Sequence, residues 1–532
     1  MDPVTGWTGR TACALQAALR LSNEAFAERL GIGVRTVAAW HQKPTLRPRP
    51  EMQQVLDTAL EQASQSIKTR FALLVGASAG AESAASADAG TREGGVAADV
   101  ERRLSTDPNT RSALDQLDKY AGWEPGTARQ RVAFRLARLD VRHLQDRASR
   151  RRRIDQRRIA AALGTYYRDG TSGHGRYRVR YGQDSQIVTS VLTHPDWLDL
   201  DCPLTAAHDQ LTLNLAADSD LSLDEEAAEA AAQRLAETLA TRTRLVDMPL
   251  YRLLDIDLSS GAIAGSVGVT QFVRYALTMD LLEGELIDAL TAGVPPRPGS
   301  LPLRDRYLPD LASVLGIAGR LCAGGALALC AIARPENPYR GPADYLLLVQ
   351  ERSGDVVNAA RRLAVIPKGF HQPMTDFRAD AQIGATLRRE MEEELFGRED
   401  TDNTLTEQHA ADPMHPTRLS EPMRWLMEDP GHLRVECTGF GLNLVSGNFE
   451  FTGLIVIDSE DFWDRYGGHI EANWESSALR QYSSLDSESL TELVHDAAWS
   501  NEGLFALLQG LRRLKQTGGN RVNLPTIEWR MD

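Results

Sequence analysis

Apolar residues recur every three to four positions over residues 10–20, 23–30, 34–42 and 50–60, and this spacing predicts four short helices. Gly31 stands after the second, where a tight turn favours positive φ. Phe26, Ala27, Leu30, Ile32, Val37 and Trp40 fall at positions that can bury between crossed helices. The pattern then breaks. Residues 76–99, GASAGAESAASADAGTREGGVAAD, hold no large apolar residue except valine and predict a flexible tether. Beyond it, 128–163 suits one long helix or two. GRYRVRYG (175–182) alternates like a strand, 223–243 is an acidic helical stretch, and 269–290 has the period of a packed helix. Pro and Gly at 294–300 interrupt helix.

From residue 325 the pattern changes again. Apolar runs at 325–334, 344–352 and 362–370 predict strands. A helix follows over about 379–397, with Ile383, Leu387, Met391 and Leu395 as its buried stripe. LRVECTGFGLNLV and NFEFTGLIVID are strand-like, and 500–516 makes a closing helix. Strands on both sides of a central helix predict an α/β sandwich. The expected architecture is multidomain. An all-α head occupies 1–75, the linker 76–99, a mainly α middle region with some strands 100–324, and the α/β sandwich 325–532.

Composition agrees with a globular chain, at 42% hydrophobic and 25% charged residues. No window of 18 consecutive apolar residues occurs, so no membrane span is expected. The opening MDPVTGWTGRTACALQ lacks a basic region followed by an apolar core, so no secretory signal is expected. The five cysteines are scattered without a CxxC pair, which suits free thiols in a reducing cytoplasm rather than a zinc site or a disulfide framework.

Charge changes the picture more. The net charge is −14, yet residues 1–70 carry nine Lys/Arg against six Asp/Glu, and 131–160 carry eleven Arg against three Asp. A local basic field attracts phosphate whatever the global sum. The Arg-rich run 147–158, with Arg150 to Arg153 in one block, admits two readings. It is a phosphate-binding surface or nucleotide pocket, or a helix face that pairs with acidic neighbours.

The segment LSNEAFAERLGIGVRTVAAW, with its small residue at Ala27 and turn at Gly31, resembles the lambda-repressor-like (Cro/C1, or XRE) helix-turn-helix family over about residues 10–62. The resemblance implies a third helix that enters the major groove of double-stranded DNA. Val34, Arg35 and Thr36 would stand at its exposed start, Arg35 able to donate two hydrogen bonds to a guanine edge. Asn23 would touch phosphate, and Lys43, Arg47 and Arg49 would neutralise backbone charge. His41, Gln42 and Lys43 depart from the family, where an acidic residue and a glycine are frequent.

Arg389-Glu390-Met391-Glu392-Glu393-Glu394 resembles the core of the Nudix box, G-x5-E-x7-R-E-U-x-E-E-x-G-U, and Pro367-Lys368-Gly369 resembles the loop that opens it. On an α-helix, Glu390, Glu393 and Glu394 share one face. Carboxylates so placed repel unless cations gather, and hard oxygen ligands suit Mg²⁺ or Mn²⁺. The resemblance makes these three the metal ligands, with Glu393 and Glu394 catalytic if the domain is active. Lys368, Gly369 and Arg389 would be ligand-binding. The box departs from the family in its first half. The box glutamate falls on Ala381, and twenty residues separate Gly369 from Arg389 where the pattern has fourteen. Asp376 or Asp380 could substitute for the missing acid. The metal half is intact and the loop half is not, which favours ligand binding with weak or no turnover.

The two ends together predict a DNA-binding transcriptional regulator whose Nudix-like domain senses a phosphorylated, nucleotide-type ligand. The alternative is a Mg²⁺-dependent Nudix hydrolase of a nucleoside diphosphate derivative, with an accessory helix-turn-helix. A third reading is an interaction scaffold that has lost both chemistries. Expected partners are double-stranded DNA, a small phosphorylated ligand and further copies of the chain.

Overall fold

The computed structural model describes residues 7–19, 23–43, 46–61, 68, 71, 100, 104–105, 108–168, 173–182, 185–215, 222–241, 243, 245–258, 261–352, 361–397, 414–467 and 476–531. The expected linker at 76–99 lies outside them. The chain divides into two compact units, residues 1–99 and 100–532. No described helix is long and apolar enough to cross a membrane.

In the first unit, helices α1 (Gly9–Leu19), α2 (Asn23–Leu30), α3 (Val34–Gln42) and α4 (Pro50–Glu61) lie where the apolar spacing puts them. Their core joins Trp7, Leu15, Phe26, Val37, Trp40 and Leu56. Gly31 takes φ +66° between α2 and α3, a conformation that strains any residue with a Cβ. Its turn is closed by the Ile32 amide, which donates to the Ala27 carbonyl at 2.9 Å. Trp7 Nε1 donates to Asp57 Oδ1 at 2.7 Å, tying the start of the chain to α4.

The second unit is built on one large mixed sheet. Its strands are β1 (Gly175–Tyr181), β2 (Ser185–Thr193), β3 (Leu198–Pro203), β7 (Gly324–Arg334), β8 (Asp344–Arg352), β9 (Leu363–Val365), β10 (Lys368–Phe370), β11 (Arg434–Asn443), β12 (Phe449–Ile457), β13 (Ser476–Ser483) and β14 (Ile527–Met531). Their order is β13-β8-β7-β12-β11-β2-β1-β14, with β10 on β7, β3 on β11 and β9 on β8. A small second sheet holds β4 (Asp209–Leu213), β5 (Pro249–Asp257) and β6 (Ile263–Gln271) in the order β4-β6-β5. At the centre, β7 and β12 run parallel, from Gly324 opposite Phe449 to Ile332 opposite Ile457.

The helices of this unit are α5 (Pro108–Ala121), α6 (Thr127–Leu136), α7 (Val141–Arg151), α8 (Gln156–Tyr166), α9 (Glu225–Thr241), α10 (Leu281–Thr291), α11 (Ile383–Glu390), α12 (Glu421–Glu428), α13 (Glu460–Tyr466), α14 (Ser487–Val494) and α15 (Asn501–Thr517). Shorter helical turns among the described residues include Phe272–Ala276, Pro302–Tyr307 and Leu311–Leu315. The central strands are buried on both faces. Ala326, Ala328, Cys330 and Ile332 of β7 pack in one core with Ile383, Leu387, Met391 and Leu395. Leu327, Leu329 and Ala331 pack in another with Leu504, Phe505 and Leu508 of α15. Each fully buried Leu, Ile, Met or Phe among them stabilises the fold by roughly 1.5–3 kcal/mol. The sheet is thus the middle layer between α11 and α15.

Four expectations need correction. The division expected at 324/325 falls inside a single compact unit. Strands β1 to β3 complete the sheet of the C-terminal part: β2 pairs with β11, β3 with β11, and β1 with β14. They cover what would otherwise be an open edge of β11. The stretch 128–163 forms three helices, because Asp140 and Asp155 cap new starts by accepting from the Arg142 and Arg158 amides at 2.9 and 2.8 Å. The stretch 269–290 begins as the end of β6, and only its second half is the helix α10. Finally, 362–370 is two short strands rather than one, β9 on β8 and β10 on β7.

Candidate functional site

The sequence singled out two places, and the first is α3. Val37 and Trp40 are fully buried, so they fix which face of α3 turns inward. Arg35, Lys43, Arg47 and Arg49 are exposed, and Thr36 is half-buried. The side chains of Asn23 and Val34 lie outside the described residues. His41, which departs from the family pattern, has a local role: its Nε2 meets Gln16 Oε1 at 2.9 Å and joins α3 to α1.

The second place is the box helix. It does not stay α-helical. Residues Met391–Leu395 form a π turn that continues α11, and such turns change which side chains share a face. Glu390 and Glu393 share one partner, whereas Glu392 and Glu394 each have their own. Arg389 Nη2 lies 2.7 Å from Glu390 Oε1 and donates to the Phe370 carbonyl at 3.1 Å, while its Nη1 is 3.9 Å from Glu393 Oε2. Glu394 accepts from the Lys368 amide at 2.7 Å and from Gln350 Nε2 at 3.3 Å, with Arg352 Nη1 4.0 Å away. Glu392 accepts from both the amide and the hydroxyl of Ser420 at 2.6 Å, beside α12. A Cβ at position 369 would run into the Glu390 carboxylate, so the glycine permits β10 to lie against α11.

One guanidinium, that of Arg389, thus pairs with Glu390 and lies near Glu393, offsetting one of the two charges that were expected to attract Mg²⁺ or Mn²⁺. Among the described residues no three His, Cys, Asp or Glu side chains are grouped as a metal ion would require. As arranged, the carboxylates are engaged by Arg389, the Lys368 amide and Ser420 rather than converging on one point.

The loop between β10 and α11 is held by its own acids. Asp380 Oδ2 accepts from the Met374 and Thr375 amides at 2.9 and 3.2 Å. Asp376 Oδ1 accepts from Arg378 and Ala379. Both candidates for the missing box acid thus serve loop closure. His371 is buried beneath them, with Nδ1 2.8 Å from Thr386 Oγ1 and Nε2 3.1 Å from the Ala381 carbonyl. Burial, reinforced by the Arg389 charge, lowers its pKa to about 3, so the ring is neutral. At the start of α11, Asp209 Oδ2 accepts from the Gly384 amide at 2.8 Å. Burial raises this carboxyl to about 6 against the pull of that bond.

Lys368 carries the chief surprise. Its ammonium leaves the box helix and meets Glu502 Oε1 at 2.6 Å. Asn443 Nδ2 bridges Glu502 Oε2 and Glu450 Oε1, each at 3.2 Å. Burial and the Glu502 charge push Glu450 up. Burial would do the same to Glu502, but Lys368 outweighs it and holds that carboxyl below its usual range. Glu502 also occupies the first turn of α15, where the helix dipole favours an anion. Sequence reasoning missed Glu450, Glu502 and Asn443. The one available signal was a glutamate inside the apolar run NFEFTGLIVID.

The Arg-rich run pairs only in part as a helix face would. Arg147 bonds Glu237, and Arg151 grips Asp288 with two nitrogens. No known protein family matches the chain, and no curated protein is recognisably similar to it.

Proposed function

We propose that this chain is a DNA-binding transcriptional regulator. A lambda-repressor-like helix-turn-helix head contacts double-stranded DNA, and a Nudix-like sandwich senses a phosphorylated, nucleotide-type ligand. The observation that carries the reading is the division of α3. Val37 and Trp40 anchor one face, while Arg35 stands in solvent near the helix start and Lys43, Arg47 and Arg49 trail it, exposed. A guanidinium so presented can reach a guanine edge, and the trailing cations can reach phosphate.

Sensing rather than hydrolysis is favoured by the box helix. Its glutamates are engaged by Arg389, the Lys368 amide and Ser420. Each of these already has a partner, whereas a general base must be open to take the proton of an attacking water. The test is selection of binding sites from random duplex DNA with the full chain, followed by titration at several salt concentrations. A selected site bound with a steep salt dependence supports the reading. No DNA affinity at low salt ends it.

A further inference from the structure

We propose that the cleft bounded by α7, α9, α10 and the start of β9 binds a small polyol carrying two or more phosphates, held by Arg152, Arg153 and Arg361. The proposal rests on the sensing reading only in that the ligand is phosphorylated; it places that ligand away from the box helix and gives it no nucleobase.

The cleft has a volume of about 950 Å³, at the upper end of the roughly 300–1,000 Å³ usual for small-molecule sites. It is rich in both signs of charge, so the pairing decides what remains. Glu237 is taken by Arg147, Asp288 by Arg151, and Asp280 by Arg234 at 2.7 Å. Arg480, outside the cleft, serves both Glu351 and Asp496. Glu285 accepts from the Leu303 and Arg304 amides at 2.8 and 2.9 Å. Asp155 is the cap of α8. Asp155 and Glu285 keep their charges although amides satisfy them, and Glu351 and Asp496 share one arginine, so the cleft is not basic as a whole; its positive charge is local, at the three exposed guanidiniums of Arg152, Arg153 and Arg361. Among the described residues, Arg152, Arg153 and Arg361 make no ion pair.

Cations at the end of α7 have an ordinary explanation, since a helix C-terminus attracts positive charge. That explanation does not extend to Arg361, which comes from a different element and faces them. Arg361 also holds φ +59°, a strained conformation for a residue with a Cβ. Burial and the neighbouring Arg361 charge both press Arg152 below its ordinary pKa. Two guanidiniums brought together without an anion repel, and a phosphate between them removes the repulsion while accepting charge-assisted hydrogen bonds.

The lining also limits the ligand. No aromatic side chain faces the cleft among the described residues, so a nucleobase would find nothing to stack on. Thr238, Thr241 and Thr243 supply small polar surface suited to hydroxyl groups. The shape is concave, which suits a small molecule better than a duplex.

The experiment is isothermal titration calorimetry on the full chain, with inorganic pyrophosphate as probe and orthophosphate and a short duplex DNA as comparisons. Pyrophosphate is expected to bind saturably and more tightly than orthophosphate. Arg152→Ala and Arg361→Ala should each weaken it roughly tenfold, the loss of a hydrogen bond to a charged group. Both side chains are exposed, so the melting temperature should not move, and Arg35→Ala should leave pyrophosphate binding unchanged. Absence of pyrophosphate binding overturns the proposal, as does undiminished affinity in the Arg152/Arg361 double variant. Displacement of pyrophosphate by duplex DNA, retained in Arg35→Ala, would assign the arginines to a nucleic-acid surface and also overturn it. A gel-shift assay with a selected site on the same preparation reports the regulator reading separately. DNA binding without pyrophosphate binding defeats only this proposal, and loss of both defeats the larger one.

Discussion

The Lys368 amide donates to Glu394 Oε2 at 2.7 Å, while the ammonium of the same residue lies 2.6 Å from Glu502. One residue of β10 therefore links the box helix to the start of α15. Successive positions on a strand face opposite ways. Gly369 abuts Glu390 under α11, so the Lys368 side chain is left on the α15 face. The residue that looked like a ligand contact is a structural tie between the two helical layers.

For the head, Lys43→Ala or Arg47→Ala should weaken binding to all DNA sequences alike and flatten the salt dependence. Arg35→Ala should instead erase most of the preference for the selected site. A contact to a base edge is worth about 1–3 kcal/mol of discrimination. Fluorescence anisotropy with selected and scrambled duplexes distinguishes the two effects.

For the sandwich, phosphate release from ADP-ribose-like and dinucleotide substrates with Mg²⁺ should be slow or undetectable. The carboxylates of the box helix are already hydrogen-bonded, and Asp376 and Asp380 serve the loop. Brisk turnover that disappears in Glu394→Gln would establish the hydrolase instead.

Asp209 makes a pH prediction. Its folded pKa, about 6, stands above the ordinary 3.8 because the carboxyl is buried. A group raised on folding gives its full stabilisation below the unfolded value, and that is lost as pH climbs from about 4 through about 6. Asp209→Asn keeps an oxygen for the Gly384 amide and removes this loss. The variant should be more stable than the parent by about 1–3 kcal/mol at pH 7.5, with the difference shrinking toward pH 4. Urea titrations at both pH values measure it.

His371 has the opposite sign. Burial lowers its pKa from 6.5 to about 3, so its stabilisation is complete above pH 6.5 and is lost as pH falls toward 3. His371→Gln should flatten that acid limb while costing about 1–3 kcal/mol at neutral pH, from imperfect replacement of the Thr386 and Ala381 bonds. An acid limb unchanged in the variant would mean that other groups govern it.

Periodicity was enough to locate the elements. Helices α1 to α4 of the first unit, the buried stripe Ile383, Leu387, Met391 and Leu395, and the central strands β7, β8, β11 and β12 were all legible, because each pattern is written within a few turns or a single strand. The exposure of Arg35 was legible for the same reason, since Val37 and Trp40 set the face.

Only the tertiary structure decided which distant groups meet. Strands β1 to β3 read locally as part of a separate middle region, yet they complete the sheet on β11 and β14. The spacing of Glu390, Glu393 and Glu394 assumed a regular α-helix, whereas a π turn at Met391–Leu395 follows Glu390, and Glu394 is held by the Lys368 amide while Glu390 and Glu393 share Arg389. The meeting of Lys368, Asn443, Glu450 and Glu502, and of Asp209 with Gly384, spans separations that no local repeat records. Period and propensity report how a residue sits on its own element. A buried charge takes its state from whichever neighbour the packing brings within reach, because only there does a low dielectric make the pairing decisive.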